Sequence, residues 1–318
     1  MASQKKILAV FGATGHQGGS VIDHVLSSPD LSSQYALRAI TRDVNSPATV
    51  ALRAKGVTEI VSGDLNSPST LLIALAGAHT VFLMTTPDMT LPYPAAKTQE
   101  LAAAKAATDA CVAAGVSYLI FSTLPHVEKG SGGKYKRVAG FDAKAEAEAY
   151  MRTRALKTAF FAPGSFMQNW NSRSIHPSPA NDGSYIIARP VAPETKLPLI
   201  DISNDTGKFV GAILAEPDKF EGKTFCAAAR LYSLTEISEI ISKATGKKVT
   251  YSQISPEEFK GFMGGSPYAD ILIDMMLYQQ DFGYYFAETE SAISWAVENA
   301  RGSVTTFEEF LKREPIVL

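Results

Sequence analysis

The chain has 318 residues, of which 46% are hydrophobic and 19% are charged, so it is long enough to bury a large core in one or two domains. Its 30 lysines and arginines against 32 aspartates and glutamates leave a formal net charge of −2, which provides no basic excess for direct binding of nucleic acid. The two cysteines, Cys111 and Cys226, are far apart in sequence. We therefore expect neither a disulfide framework nor a metal site, but two small buried apolar side chains.

The N-terminal sequence MASQKK leads directly into an apolar stretch, so we expect no signal peptide. No apolar run approaches the roughly 18 residues that a membrane-spanning helix needs. These features predict a cytoplasmic protein without a membrane partner, and a nuclear location is also open.

The first predicted elements surround a glycine-rich turn. Residues 7–11 form an apolar run of the length of one buried strand, and apolar side chains within residues 21–26 recur at helical spacing. Between them stand Gly12, Gly15 and Gly18, which allow a tight turn, a close approach of a pyrophosphate to the backbone, and close packing of helix on strand. The helix start adds unpaired N–H groups and the positive end of its dipole. This stretch predicts dinucleotide binding.

The spacing of this motif is G-x-x-G-x-x-G, whereas most classical dehydrogenases have G-x-G-x-x-G. A glycine-rich turn that binds no ligand is therefore the alternative interpretation. The apolar strand before the turn and the patterned helix after it favour the dinucleotide, because that context is what the motif requires.

The second strand is predicted at Tyr35–Thr41, and Arg42 and Asp43 follow it. An acidic residue near the end of this strand binds the ribose hydroxyls of NAD, whereas an arginine there suits the 2′-phosphate of NADP. Because a guanidinium can bind a phosphate through two hydrogen bonds, Arg42 favours NADP(H). Asp43 lies one residue late for the NAD role, and NAD(H) is the alternative cofactor.

Helices and strands alternate as far as residue 124. We predict helices at 47–55, 69–76 and 98–114, and strands at 56–61, 79–84 and 116–121. This alternation predicts an α/β fold with a parallel, doubly wound sheet. Asp64 follows the third strand, where it either bonds the adenine amino group or caps the next helix. Thr85 and Thr86 follow the fourth strand and are small enough to approach the ribose and phosphates.

The second half of the chain is less regular. Residues 128–138 are polar, basic and rich in glycine, which predicts a flexible loop over the site. We predict helices at 141–150, from 205 to about 215, at 233–246, from 255 and at 307–310, and strands at 157–161, 185–188, 222–226 and 249–253. Residues 162–170 follow the sixth strand of the sheet and would cover the nicotinamide. Methionines and aromatic residues within 271–286 recur at helical spacing, which predicts core or the floor of a substrate pocket.

A catalytic tyrosine is missing from its expected place. Short-chain dehydrogenases pair a tyrosine with a lysine four residues later, in the helix after the fifth strand, and the lysine lowers the phenol pKa for proton transfer. Lys144 lies in that helix, but Gly140 stands where the tyrosine would be. Tyr93 and Lys97 have the same spacing, but they lie on the wrong side of the fifth strand and ahead of the predicted fourth helix. We interpret that pair as a chance match.

Together these motifs resemble the NmrA-like family, an atypical branch of the short-chain dehydrogenase fold that includes the fungal regulator NmrA and HSCARG-type NADPH sensors. The resemblance extends along nearly the whole chain and rests on residues 12–18, 41–42, 63–64, 121–123, 141–148 and 163–169. It implies a Rossmann-type, NAD(P)-binding domain and a smaller α+β C-terminal domain for a substrate or partner, with a cleft between them. The implied boundaries are 1–163 with 198–229, and 164–197 with 230–318.

The resemblance also implies roles for individual residues. The pyrophosphate would contact Gly12, Thr14, Gly15, Gln17 and Gly18, and the 2′-phosphate would contact Arg42. Asp64 and Leu65 would flank the adenine, Thr85, Thr86 and Pro87 would line the ribose, and Lys144 and Phe166 would lie near the nicotinamide. Regulatory members of the family lack the catalytic tyrosine, as this chain does, whereas reductases of the isoflavone-reductase type lack it but use an equivalent lysine as the proposed acid or base.

Lys144 therefore has two interpretations. As a structural ligand it bonds the ribose hydroxyls next to the nicotinamide. As a catalyst it needs a pKa depressed by burial, and Glu146 and Glu148, which follow it, work against that depression. Ribose binding is the favoured interpretation.

Two hypotheses of function follow. The first is a dinucleotide-sensing regulator, in which NADP(H) changes loop order and thereby the binding of a regulatory protein. The second is an NADPH-dependent reductase of a small quinone, enone or carbonyl compound that uses Lys144. Direct DNA binding is disfavoured by the near-neutral charge and by the lack of a recognition motif.

Overall fold

A computed structural model of the chain describes residues 4–88, 90–172, 175–266 and 268–318. Within these ranges the strands are β1 (Lys6–Phe11), β2 (Tyr35–Thr41), β3 (Glu59–Ser62), β4 (Thr80–Leu83), β5 (Tyr118–Ser122), β6 (Lys157–Pro163), β7 (Ser165–Phe166), β8 (Ser178–Pro179), β9 (Tyr185–Arg189), β10 (Lys196–Ile200), β11 (Thr224–Ala227), β12 (Arg230–Ser233) and β13 (Val249–Gln253).

The helices connect these strands and cover them. They are α1 (His16–Ser27), α2 (Pro29–Gln34), α3 (Pro47–Lys55), α4 (Leu71–Leu75), α5 (Tyr93–Ala113), α6 (Val127–Gly130), α7 (Ala139–Met151), α8 (Ile202–Ala215), α9 (Leu234–Thr245), α10 (Pro256–Phe262), α11 (Tyr268–Phe282), α12 (Thr289–Asn299) and α13 (Phe307–Arg313). Short 3₁₀ helices span Pro68–Thr70, Met167–Asn171 and Phe286–Glu288.

The described residues include a central sheet of seven strands in the order β3-β2-β1-β4-β5-β6-β11, and every neighbouring pair is parallel. The strand order reverses between β1 and β4, because the chain first adds strands on one side of β1 and then on the other. This is the Rossmann-type, doubly wound arrangement that the sequence predicts. Ligands of such sheets bind outside the carboxyl ends of the strands at the reversal. We therefore expect the residues after β1 and β4 to form the binding site.

Alternate residues of the central strands face two different apolar cores. In β1, Leu8 and Val10 face one core, whereas Ala9 and Phe11 face the other, and none of the four is more than 3% exposed. Helices α1, α2 and α8 cover the first face, and α4, α5 and α7 cover the second. The strands read as nearly continuous apolar runs because both faces of a parallel sheet are buried.

The rest of the chain is a smaller α+β part with its own core. Its described residues form two three-stranded sheets, in the orders β12-β10-β7 and β13-β9-β8, each with one parallel and one antiparallel pair. Trp170, Tyr232 and Phe307 are buried together between these sheets and helices α9 and α13. The exact division between the two parts stays a prediction, and β10 spans the boundary predicted at residue 198.

Several predicted elements are confirmed at their bounds, among them β2, α3 and β13. Helix α5 is different, because it begins at Tyr93 rather than at residue 98. Pro94 is compatible with this extension, since a proline is tolerated in the first helical turn. The sequence prediction that Tyr93 and Lys97 precede this helix is therefore wrong, because both residues lie inside α5.

Other elements are displaced or were not predicted. Helix α8 begins at Ile202 rather than at residue 205, because the carboxylate of Asp201 caps it by accepting the backbone N–H groups of Ser203 and Asn204 at 3.2 Å each. Helices α2 and α12 and strand β12 were not predicted.

Of the two cysteines, Cys111 is buried and Cys226 half-buried, and burial raises the pKa of each thiol to about 12, so both are unreactive at neutral pH.

The segment predicted as a flexible loop, 128–138, is anchored. Its first residues belong to α6, and its basic side chains reach α11. Lys134 and Tyr135 both bond Asp281, at 2.5 and 2.6 Å, and the guanidinium of Arg137 binds Asp274 through two hydrogen bonds of 2.8 and 3.0 Å. The structure thus corrects the sequence prediction, because acidic partners on a helix more than a hundred residues later cannot be recognised from the local pattern.

Helix α1 lies so close to the turn after β1 that residue 18 has no room for a side chain. A Cβ atom at Gly18 would lie 2.3 Å from the carbonyl oxygen of Gly12 and 2.9 Å from the Cα atom of Ala13. Both obstacles are backbone atoms, so the helix itself would have to move.

We predict that Gly18→Ala lowers the free energy of unfolding by about 1–3 kcal/mol, the range for forcing an extra methyl group into packed structure. Gly19→Ala is the matched control, because its nearest neighbour would be the carbonyl oxygen of Ala13 at 3.8 Å. In that variant the better helix propensity of alanine should make the change neutral or stabilising by up to ~1 kcal/mol. Urea denaturation measures both, and equal effects of the two substitutions would contradict the prediction.

Candidate functional site

A cleft of about 350 Å³ opens at the carboxyl ends of β1 to β4. It lies at the reversal of strand order, where a ligand of an open α/β sheet is expected. The cleft is lined by seven of the residues predicted to bind cofactor, namely Gly12, Thr14, Arg42, Asp64, Leu65, Thr85 and Thr86. Gly15, Gln17, Gly18, Pro87, Lys144 and Phe166 do not line it directly and are placed below.

The glycine turn presents backbone N–H groups at the start of α1. Gly12 has φ of 64°, which favours glycine, and its carbonyl accepts the N–H of Gly15 at 2.9 Å. Gly15 is the N-cap of α1, so no side chain caps the helix, and the first turn contains no acidic residue. The first amides of the helix are therefore free of an internal partner, and the positive end of the helix dipole is not neutralised.

The residues beside this turn border the cleft or shape it. Thr14 lines the cleft and also a second depression that Gly15 lines. The side-chain oxygen of Gln17 is buried and has no hydrogen-bond partner among the described residues. A buried polar atom is normally paired, and an amide oxygen only accepts hydrogen bonds, so this atom has capacity for a ligand hydroxyl or N–H group and not for an ionised phosphate. Gly18 acts indirectly, by allowing α1 to approach β1.

Arg42 is exposed at the rim of the cleft, directly after β2. Within the part of the chain that the structure describes, its guanidinium forms no hydrogen bond or ion pair. The neighbouring Asp43 is engaged, because its carboxylate accepts the backbone N–H of Asn45 at 2.8 Å. The guanidinium of Arg42 is therefore available to an anionic group, and one carboxylate oxygen of Asp43 is also left without a hydrogen bond from the described residues.

Asp64 bonds the local turn and does not cap the next helix, because the N-cap residues of the 3₁₀ helix Pro68–Thr70 and of α4 are Ser67 and Thr70. Its carboxylate accepts the N–H of Asn66 at 2.9 Å, and its own N–H donates to the hydroxyl of Thr70 at 3.0 Å. One carboxylate oxygen is nevertheless left without a hydrogen bond from the described residues. Asp64 and Leu65 both line the cleft, so a role beside an adenine is compatible with the turn.

Lys144 lies in α7 and reaches across to the residues after β4. Its ammonium group donates to the carbonyl and the hydroxyl oxygens of Thr85, at 2.8 and 3.0 Å, and forms an ion pair with Glu100 of α5. The side chains of Lys144 and Glu100 are 12% and 1% exposed. The hydroxyl of Thr85 also donates to Glu100, at 2.7 Å. Thr86 and Pro87 continue this segment beside the cleft.

Burial lowers the pKa of Lys144 below its ordinary value, and the adjacent carboxylate of Glu100 opposes part of that shift. The acidic residues that the sequence suggested for this effect, Glu146 and Glu148, are directed elsewhere. Glu146 pairs with Lys97 at 2.8 Å, and Glu148 pairs with Arg152 at 2.7 Å. The expected influence on Lys144 is therefore present, but it comes from Glu100.

Glu100 was missed because it looks like one polar residue in an alanine-rich helix. A usable signal is its register, since Glu100 lies on the same helical face as the buried Ala96, Ala103 and Ala107. A carboxylate on the buried face of a helix needs a cationic partner. That partner could not be identified from the local sequence.

His126 is a second ionisable group that the sequence analysis did not identify. It follows β5, and its ring nitrogen Nδ1 lies 3.0 Å from the carboxylate of Asp142, while Nε2 lies 3.6 Å from Glu146. Asp142 is fully buried at the start of α7, and burial raises the pKa of its carboxyl. Tyr93 lies close enough to this cluster for Asp142 to add to the effect of burial, which raises the phenol pKa to about 12. Such a pKa makes Tyr93 a poor proton donor or acceptor at neutral pH.

Phe166 lies in β7, directly beyond the end of β6, and, like Met84, it packs against the core that includes Leu8 and Val10. Gln168 follows, and its side chain joins β7 to the start of α8 by donating to Asp201 at 2.7 Å. The segment predicted to cover a nicotinamide is thus held in place at the end of the sheet.

The profile of the NmrA-like family matches residues 4–311. The chain belongs to this family. A curated relative, the NmrA-like family domain-containing oxidoreductase FrzB of Cladobotryum sp, is 28% identical over 323 aligned positions, which cover 97% of this chain and 94% of FrzB.

Solved structures share the NmrA-like fold over nearly the whole chain. Crystal structures of NmrA, a negative transcriptional regulator, in complex with NADP and with NAD have TM-scores of 0.78 and 0.79 at 23% and 22% identity, and each comparison covers 99% of this chain and 96% of NmrA. Triphenylmethane reductase of Citrobacter sp., complexed with NADP(H), has a TM-score of 0.75 at 23% identity, with 96% of this chain and 99% of the reductase covered. At these identities the likeness shows a common fold.

Two features are absent from the described residues. None of the described helices is both long and apolar enough to cross a membrane. Nor do the residues of known placement contain a group of three His, Cys, Asp or Glu side chains that could hold a metal ion.

We predict that breaking the buried ion pair destabilises this NmrA-like protein strongly. Glu100→Leu and Lys144→Met should each lower the free energy of unfolding by about 3–5 kcal/mol, because each leaves a buried charge without its partner. The double variant should recover most of that loss, since it leaves no unpaired charge. Urea denaturation of the four proteins measures the cycle.

Lys55→Ala is the control, because Lys55 and Asp23 form an ion pair in which the side chains are 48% and 53% exposed. Its loss should change stability by at most ~1 kcal/mol. A double variant that is less stable than both single variants would show that the pair is not held by its charges.

Proposed function

We propose that this protein binds NADP(H) in the cleft between β1 and β4 and acts as a dinucleotide-responsive regulator that binds a protein partner. The observation that carries the proposal is that an uncapped helix N-terminus and an unpaired guanidinium border one cleft. The first amides of α1, reached past Gly12 and Thr14, suit the pyrophosphate. Arg42, on the rim, suits the 2′-phosphate. The family membership and the NADP and NAD complexes of NmrA support the binding of a nicotinamide dinucleotide.

In this proposal the other cleft residues hold the remaining parts of the dinucleotide. Asp64 and Leu65 flank the adenine, and Thr85, Thr86 and Pro87 line the ribose. Lys144 lies near the ribose next to the nicotinamide, and Phe166 packs beside the ring. Because Thr85 and Glu100 already accept the three N–H groups of Lys144, a hydrogen bond to a ribose hydroxyl replaces one of the bonds to Thr85. NAD(H) binds the same cleft more weakly, because it has no 2′-phosphate for Arg42.

A regulatory rather than a catalytic role is supported by the surroundings of Lys144. Its ammonium group is paired with Glu100 and bonds Thr85, so it is held as a charged donor and is not free to accept a proton. Gly140 occupies the position of the missing tyrosine. Of the described residues, none supplies a phenol hydroxyl bonded to Lys144. A nicotinamide bound here therefore meets a fixed cation and no obvious proton relay.

The second candidate function is NADPH-dependent reduction of a small quinone, enone or carbonyl compound. It is favoured by an apolar pocket that begins at Ser165, next to Phe166, and whose far wall includes Met275 and Met276. The predicted floor of a substrate pocket thus has a counterpart in the fold. In this alternative, Lys144 polarises the substrate carbonyl by donating a hydrogen bond.

We predict that the protein binds NADPH more tightly than NADH, and that Arg42→Ala weakens NADPH binding by about 10- to 100-fold, which corresponds to the loss of a hydrogen-bonded charge pair. The affinity for NADH should be unchanged. Isothermal titration calorimetry measures both. Arg154→Gln is the control, because Arg154 pairs with Asp109 and does not line the cleft.

Two outcomes would count against the assignment. If neither dinucleotide binds, the proposed function is wrong. If Arg42→Ala weakens NADH and NADPH equally, the guanidinium does not recognise the 2′-phosphate, and the preference for NADP(H) fails.

The regulatory proposal predicts no sustained oxidation of NADPH, followed by absorbance at 340 nm, with a panel of quinones, enones and aldehydes. Turnover that Lys144→Ala abolishes and that Lys97→Ala leaves intact would instead establish the reductase. Lys97 is a suitable control because it lies outside the cleft, paired with Glu146.

A further inference from the structure

The smaller part of the chain contains a second pocket, of about 280 Å³, that shares no lining residue with the cleft at the glycine turn. Strands β9 and β10 and helices α10 and α11 contribute its walls. Most of the lining is apolar and includes Leu197, Phe259, Leu272 and Met275. Arg189, the last residue of β9, also lines it. This cavity is hereafter the Arg189 pocket.

Arg189 is a buried cation, 9% exposed, without a carboxylate partner. Its guanidinium donates to the carbonyl oxygens of Ala188 and Ile175, at 2.7 and 2.8 Å, and lies 6.0 Å from the ring centroid of Phe259. These bonds use two of the five N–H groups of an arginine. Across the described ranges, no aspartate or glutamate comes within ion-pairing distance of it.

Other buried cations of this chain are neutralised by the protein. Arg38, 8% exposed, pairs with Glu59 at 2.6 Å, and Lys144 pairs with Glu100. Burial lowers the pKa of Arg189 to about 10, so its side chain is still charged at neutral pH. A buried charge without a counter-ion is unfavourable, which makes the Arg189 pocket electrostatically incomplete.

Two neutral groups in the lining are also without partners. The indole nitrogen of Trp170 and the hydroxyl of Thr195 are buried and form no hydrogen bond with any residue that the structure places. Both residues line the Arg189 pocket. Since buried polar groups are normally hydrogen-bonded, these two atoms have unused capacity beside the pocket, although each is itself covered by neighbouring atoms.

We propose that the Arg189 pocket binds a small molecule that has an aromatic, apolar body and one carboxylate, and that the carboxylate pairs with Arg189. The planar guanidinium matches a carboxylate through two parallel hydrogen bonds, and the apolar walls cover the rest of the molecule. A single carboxylate is favoured over a phosphate, because the second charge of a phosphate would stay unpaired in the pocket. The Arg189 pocket is the same pocket in which the reductase alternative would hold its substrate. Its binding of a carboxylate goes beyond the regulatory proposal and does not require a bound dinucleotide.

The test compares 2-naphthoate with 2-naphthamide, which has nearly the same shape but no charge, by isothermal titration calorimetry on the full chain. We expect the naphthoate to bind at least about tenfold more tightly, as for a charge-assisted pair. In Arg189→Met, which keeps an apolar side chain of similar length, the two probes should bind equally. Arg230→Gln should keep the preference, because Arg230 pairs with Glu236 outside the pocket.

A second measurement locates the probe and does not depend on Arg189→Met being folded. The chain has two tryptophans, and Trp295 packs on Phe220 and Phe225, away from the Arg189 pocket. Trp295→Phe therefore leaves Trp170 as the fluorescence reporter of the pocket. We expect 2-naphthoate to quench its emission at concentrations at which 2-naphthamide does not.

The proposal is overturned if neither probe binds, if both bind the wild-type protein equally, if Arg189→Met keeps the preference, or if naphthoate binds without quenching Trp170. Titration of Arg189→Met with NADPH separates this result from the proposed function. Unchanged NADPH affinity shows that the cleft is intact, so a loss of naphthoate binding is then specific to the Arg189 pocket.

Discussion

The central constraint on this structure is that its parallel sheet is buried on both faces. Each strand must supply apolar side chains in both directions, so Leu8 and Val10 pack against one helical layer while Ala9 and Phe11 pack against the other. Polar groups are thereby excluded from the body of the sheet and collect where the strands end. The cleft follows from this arrangement, because the reversal of strand order separates the helices after β1 and β4 and leaves their strand ends uncovered.

At the edge of this apolar body, buried charges are tolerated only in pairs. Lys144 and Glu100 come from helices α7 and α5, which cover the same face of the sheet, and Thr85 joins them to the end of β4. The pair thus fixes a cation behind Thr85 and Glu100, which line the cleft, and links three elements that are distant in sequence.

The sequence predicted the fold well because the fold depends on local patterns. Apolar runs located the strands, and the glycines at 12, 15 and 18 located the turn. Helix starts were less accurate, since the cap at Asp201 and the proline at residue 94 shift a boundary without changing the apolar pattern. The site was predicted in part for a different reason. Arg42 and Lys144 have recognisable positions, after a strand and in a helix. Glu100 and Arg189 do not, because Glu100 is notable only for its ion pair with Lys144 and Arg189 only for lacking a carboxylate partner, and both facts depend on the tertiary structure.

Helix α11 contacts two different parts of the structure. Asp274 and Asp281 hold the segment that leads into α7, and Met275, on the same helix, lines the Arg189 pocket. A shift of α11 along its axis would therefore move the pocket wall and the approach to Lys144 together. Such a helix mechanically couples two sites that share no residue. Substitutions in α11 are therefore constrained twice, because a substitution that alters the pocket lining must also preserve the ion pairs with Lys134 and Arg137.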